Sequence, residues 1–365
     1  MTAFSSDKGP LRPSRRMVLA GFSSAALVAL TGCAAESGAT APAASGTASG
    51  AAAEFGTLEV QLSWLKNAEF AGEYFADSKG YYRDAGFSAV NLIAGGPGGA
   101  SAETMVLSGK ALVGTSSPVG VAPVVLNEGA PLKIIGSTYQ KNPFTIVSLA
   151  ANSITAPEDL IGKKIGVQAG VNETLFDALL EVNKIDASKV TKVPVQYDPQ
   201  PLLNGDVEGF FAYLTNEVLT LELGGHKTAV LPFADNGLPF IAESFVVTEE
   251  SIKDKRPELK AFLVATIKGW KDALADPAES ARLAVEVYGK ELGLTMAKEK
   301  GQAEAQNTKL IATPETDSNG LFTVSKELMD KNIEILKLAG YDTTADAIFD
   351  LSLLDEVYAE NPDLK

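Results

Sequence analysis

Leu58-Glu59-Val60-Gln61-Leu62-Ser63-Trp64 alternates apolar and polar side chains with a period of two, the mark of a strand with one buried face. Directly after it, residues 71–83 place Tyr74, Phe75, Ser78, Tyr81 and Tyr82 near helical spacing, and Asp84-Ala85-Gly86 supplies a glycine where a helix C-cap would need one. The same strand-helix rhythm continues, with strands at 90–94, 112–114 and 132–137 and helices at 100–108 and 119–126. Strands that return through helices cannot be hairpin partners, so the rhythm predicts a mainly parallel sheet flanked by helices on both faces.

A second series begins near Pro143. Strands are expected at 144–149, 164–167, 190–195, 209–213 and 229–233, with a helix at 173–183 and a short turn at 201–203. After Asn236-Gly237-Leu238-Pro239, one more strand spans 240–247. Helices then dominate at 257–275, 278–291, 296–304, 326–339 and 353–358. The expected fold is therefore α/β with two lobes: residues 57–142 plus 238–365 form lobe one, 143–237 form lobe two, and the chain crosses near Pro143 and Asn236. Two compact units suit a chain of 365 residues.

Upstream of this fold, Ser14-Arg15-Arg16 precedes an uncharged run from Met17 to Leu30. A spanning helix needs about 20 apolar residues, whereas the core of an export signal needs roughly 7 to 15, so residues 1–32 read as a signal peptide. Its arginine pair resembles a twin-arginine signal, and a Sec signal that carries two arginines is the alternative. Leu30-Thr31-Gly32-Cys33 resembles a bacterial lipobox, which makes Cys33 the expected lipidated N-terminus. Residues 33–56 then form a tether rich in Ala, Gly and Ser, too poor in large apolar groups to fold. The expected location is the outer face of a bacterial cell membrane, held by lipid.

Composition excludes several classes of function. The net charge is −15; losing residues 1–32 removes Lys8, Arg12, Arg15 and Arg16 against Asp7, which leaves −18. A phosphate backbone needs a basic face, so no nucleic-acid partner is expected. With one cysteine and one histidine, Cys33 and His226, neither a disulfide within the chain nor a His/Cys metal site can form, and no cofactor is expected. His226 follows Gly224-Gly225 in what reads as a helix end and turn, with no nucleophile motif beside it.

Ligands of open α/β sheets bind beyond the carboxyl ends of the strands. Seven segments leave predicted strands there: 64–67, 95–99, 115–117, 139–142, 168–173, 197–199 and 215–217. From these and the strand end at Tyr213 the candidate ligand-binding residues are Trp64, Asn67, Ser116, Ser117, Tyr139, Asn172, Tyr213, Asn216 and Glu217. Rings, amides, hydroxyls and carboxylates suit a neutral or weakly cationic heteroaromatic, stacked on Trp64 or Tyr139 and bonded at its edge by Asn67 and Glu217. Simpler roles stay open: Trp64 as a core residue at a strand end, Glu217 as a helix-start carboxylate favoured by the helix dipole, Gly95 to Gly99 as a turn. Trp270, in the helix at 257–275, lies away from all seven segments. No arginine occurs in them, which argues against an anionic ligand such as nitrate or a sulfonate.

Leu62-Ser63-Trp64, Asn67, Ala71-Gly72, Lys79-Gly80-Tyr81-Tyr82 and Ala85-Gly86-Phe87 resemble the opening of the thiamine-pyrimidine and nitrate/sulfonate/taurine group of solute-binding proteins. Residues 159–167 resemble that group's entry into its second lobe, and 206–222, with Tyr213, Asn216 and Glu217, its glutamate-bearing segment. Phe70 stands where the pyrimidine-binding branch usually shows histidine, and Lys66 where it shows proline. The resemblance implies a type II periplasmic-binding-protein-like fold, a monomer that delivers a thiamine-pyrimidine-like ligand to the permease and ATPase of an ABC importer. It gives Trp64 the stacking role and Glu217 the bond to an exocyclic amine. Nitrate, sulfonate or taurine, or another vitamin such as riboflavin, are the alternative ligands. Enzymes of this fold that make thiamine pyrimidine rely on a histidine and a cysteine-rich motif, neither of which this chain carries, so no catalytic residue is expected.

Overall fold

Strand β1, Phe55–Gln61, buries Leu58 and Val60 while Thr57 faces solvent, as its alternation requires. The computed structural model describes residues 55–365, so the export signal, Cys33 and all of the expected tether except Phe55 and Gly56 lie outside the described residues. Those two residues already belong to β1. The described residues form one compact unit.

The first sheet is completed by β2 (Phe87–Ile93), β3 (Val113–Ser116), β4 (Leu132–Tyr139) and β10 (Ala242–Thr248), in the order β2-β1-β3-β10-β4. The second contains β5 (Phe144–Leu149), β6 (Lys164–Val167), β7 (Thr191–Pro194), β8 (Gly209–Tyr213) and β9 (Thr228–Pro232), ordered β7-β6-β8-β5-β9. Both sheets are mixed. In the first, β10 runs antiparallel to β3 and β4, with Ser244 opposite Ser116. In the second, β5 runs antiparallel to β8 and β9. The remaining four strands of each sheet share one direction, as expected from the strand-helix rhythm. The exception in each case is the strand on which the chain arrives from the other sheet: it enters without a preceding crossover helix, which is the connection that forces parallel pairing.

The helices packed around the sheets include α1 (Ala71–Ser78), α2 (Pro118–Glu128), α3 (Val171–Val182), α4 (Glu217–Leu223), α5 (Arg256–Ala275), α6 (Met296–Gln306) and α7 (Lys326–Leu338). The helix expected over 71–83 breaks after Ser78 because Gly80 takes φ 79°, and resumes as one turn at Tyr81–Asp84. The helix expected at 278–291 is Pro277–Arg282 followed by a π-helical turn, Leu283–Tyr288, which turns Tyr288 onto Tyr74 at 4.2 Å between ring centroids.

Helices α1 and α5 cross at Gly72 and Gly269. A Cβ on Gly72 would collide with the Trp270 indole, and one on Gly269 with the Gly72 carbonyl, so both glycines are needed for this approach. Trp270 is 1% exposed and donates from Nε1 to Glu73 Oε1 at 3.4 Å. Helix α7, expected with the first lobe, packs against both α2 and α3, and Asn332 on it accepts from the Ile241 amide at 3.1 Å. The two crossing segments are tied directly: Asn142, 1% exposed, donates from Nδ2 to the carbonyl of Leu238 at 2.7 Å. Phe144 packs beside this junction against Phe240, at 5.9 Å.

Candidate functional site

Where β1 ends, the chain turns through Ser63 and Trp64 under strong local restraint. The Ser63 amide donates to Thr115 Oγ1 at 2.7 Å, and its hydroxyl donates to Glu243 Oε2 at 2.7 Å. Gly95 donates to the Trp64 carbonyl at 2.9 Å, an approach open only to glycine because a Cβ there would strike the Leu62 carbonyl. The run Gly95 to Gly99 thus acts as a brace for the Trp64 loop. Trp64 meets Tyr197, from the loop after β7, edge to face at 5.0 Å and 66°. Since Trp64 follows β1 and Tyr197 follows β7, the two sheets approach each other through these rings.

Between the sheets lies a cavity of about 110 Å³. Ser63, Trp64 and Glu69 line it from the first sheet's side. From the second come Gln168, Asn172, Tyr197, Tyr213, Asn216 and Glu217, over a floor of Phe211 and Ala212. Gln168 is fixed by a bond from Nε2 to the Phe211 carbonyl at 3.1 Å and accepts from Asn172 Nδ2 at 3.0 Å. Glu217 opens α4, where the helix dipole favours a carboxylate. Its oxygens accept from the Tyr213 amide at 2.7 Å and from Asn216 Nδ2 at 2.9 Å. Burial pushes its pKa up, and the bond from the Tyr213 amide holds it partly down.

Five of the nine candidates therefore meet around one cavity: Trp64, Asn172, Tyr213, Asn216 and Glu217. The other four face elsewhere. Asn67 is 6% exposed and caps the 3-10 turn Ala68–Phe70, its Oδ1 accepting from the Glu69 amide at 2.9 Å. Tyr139 is wholly buried and donates to Gln306 Oε1 at 2.8 Å. Ser116 donates to the Glu103 carboxylate, and Ser117 is the N-cap residue of α2. The polar groups of Asn67, Tyr139 and Ser116 are engaged by the protein itself, Ser117 makes no side-chain cap bond, and none of the four lines the cavity where the ligand contacts were expected. His226 sits exposed in its turn, as expected.

Two carboxylates escaped the sequence reading. Glu69 lines the cavity at 4% exposure, and among the described residues no N–H or O–H of another side chain or of the backbone reaches its carboxylate. What it meets is the carboxyl of Glu243. Glu243 lies at φ 49° in β10, in the left-handed region, beside an irregularity in the β10–β4 register. Burial first, then the charges of Glu243, Glu217 and Glu299, hold Glu69 far above the usual carboxylate range. Burial also raises Glu243, against the bonds from Ser63 and Thr115. The available signal was a lone acid inside the apolar run Phe240 to Val247, and two acids four residues apart in Ala68-Glu69-Phe70-Ala71-Gly72-Glu73.

Comparison with known proteins bears on family and fold. Residues 67–280 match the family model described as NMT1/THI5 like, and the chain belongs to that family. A curated relative, riboflavin-binding protein RibY of Chloroflexus aurantiacus, is 27% identical over 273 residues, covering 71% of this chain and 75% of RibY. Among solved structures, the periplasmic sulfonate-binding protein SsuA from Methylobacillus flagellatus KT superimposes with a TM-score of 0.61 at 16% identity, covering 85% of this chain and 95% of SsuA. The desulfurization enzyme DSZB superimposes at 0.57 and 14% identity, covering 84% of this chain and 100% of its own. At such identities the likeness is one of fold, and the fold is shared by binding proteins and an enzyme.

Proposed function

We propose that this member of the NMT1/THI5-like family is the extracytoplasmic solute-binding component of an ABC importer. It is anchored through lipid at Cys33 and carries a flat nitrogen heteroaromatic of the thiamine-pyrimidine kind. The observation that carries the reading is the cavity walled from both sheets, with Trp64 and Tyr197 meeting across it. The sheets with their helices serve as two lobes hinged at Asn142 and Leu238. A ligand that touches both lobes binds the closed form better and shifts the equilibrium towards it. Trp64 and Tyr213 hold the ring, Glu217 and Asn216 its edge. The permease and ATPase read the closed shape, and the protein acts as a monomer without catalysis.

An anion finds little here, because carboxylates and no lysine or arginine line the cavity. Riboflavin is the second reading, favoured by the similarity to RibY. Calorimetric titration with 4-amino-5-hydroxymethyl-2-methylpyrimidine, riboflavin, taurine and nitrate tests both. One of the two heteroaromatics is expected to bind with a Kd between about 1 nM and 10 μM, roughly −12 to −7 kcal/mol. Binding of taurine or nitrate with both heteroaromatics silent overturns the proposal.

A further inference from the structure

We infer that Glu69 and Glu243 form a carboxyl pair that shares one proton and selects a ligand bearing a positively charged nitrogen, the proton leaving as that nitrogen arrives. This inference rests on the reading of the cavity as a solute site and names the charge class of the solute. Two carboxyl groups in contact cannot both ionise without strong repulsion, and one proton between them converts the contact into a hydrogen bond. Only the Glu69 end faces the cavity. At the far end, Glu243 is held by the Ser63 hydroxyl at 2.7 Å and by Thr115, with its backbone at φ 49°. An ammonium or amidinium nitrogen placed beside Glu69 donates N–H bonds to the pair and supplies the charge that lets the shared proton go to solvent.

The surroundings favour this exchange from every side. Glu73 on α1, Glu217 on α4 and Glu299 on α6 add negative potential around the pair, and the phenols of Tyr139 on β4 and Tyr213 on β8 face the same charges. Lys298 on α6 offsets the charge of Glu217 and Glu299. A positively charged ligand nitrogen is then the natural partner for a buried acid to which the protein offers no donor of its own.

The test compares two 4-amino-2-methylpyrimidines that differ only at C5, one carrying aminomethyl, a cation at neutral pH, and one carrying hydroxymethyl. Wild-type protein should prefer the aminomethyl compound at least tenfold at pH 7.5. Calorimetry in phosphate and in Tris, whose ionisation heats differ, should show about half to one proton released with that compound and none with the other. Glu69→Gln should collapse the preference to within about threefold and abolish the release. Equal affinities for the two compounds, or a preference that survives in Glu69→Gln, overturn the inference while leaving the solute site standing. If neither compound binds, the pyrimidine reading falls, and the pair is judged on the protein alone. The thermal midpoint of wild type should then drop between pH 5.5 and 8 more steeply than that of Glu69→Gln; identical slopes overturn the inference.

Discussion

At the scale of single residues, position along the chain and direction of the side chain are separate facts. Trp64 and Tyr139 both leave a first-sheet strand, yet one ring borders the cavity and the other is sealed against Gln306. A turn of one residue exchanges those outcomes, and no pattern in Tyr139-Gln140-Lys141-Asn142 records which way the ring turns. Trp64 should contribute through stacking: Trp64→Ala is expected to weaken ligand affinity by roughly 1 to 3 kcal/mol, and binding should change tryptophan fluorescence in wild type. Glu217→Gln keeps the shape but loses a charge-assisted bond, a loss of about 1.5 to 3 kcal/mol by calorimetry. Trp270 differs in kind. Remote from the cavity but packed on Gly72, Trp270→Ala should leave ligand affinity near wild type in the protein that folds, while lowering unfolding free energy by about 3 to 5 kcal/mol in denaturant titration.

At the scale of elements, most strands and helices were legible, because a period of two in β1 and helical spacing in α5 follow from one-sided burial. The direction of two strands was not. Residues 144–149 and 240–247 read correctly as strands, but their antiparallel placement depends on the chain having just changed sheets, which periodicity does not encode. The acids of the first-lobe core show the opposite case, a signal present but unread. Glu73 in α1 is 1% exposed, and burial lifts its pKa from an ordinary 4.5 to about 7, against the Trp270 bond. The folded protein therefore keeps a proton that the unfolded chain has lost. Its contribution is fully present below about pH 4.5 and declines as pH rises through about 7. Glu73→Gln, which can still accept from Trp270, should raise stability by about 1 to 3 kcal/mol at pH 8 and leave it little changed at pH 4.5. Thermal melts at the two pH values measure this, and an equal change at both would contradict it.

At the scale of the whole molecule, localisation and movement are the two open consequences. Cys33→Ser should release the protein from the membrane fraction of its host; a variant that stays membrane-bound and is cut at the same place would refute lipidation. The proposed movement centres on the junction where Asn142 joins the Leu238 carbonyl and, among the described residues, two crossing segments carry the chain between the sheets, with α7 packed across α2 and α3. Lobes joined in this way can rotate as bodies while their sheets stay intact. Closure is tested most directly by small-angle X-ray scattering with and without whichever heteroaromatic titrates calorimetrically. At saturation the radius of gyration should fall, and Trp64→Ala should need more ligand to reach the same value. An unchanged radius at proven saturation would contradict closure of two lobes on a shared ligand.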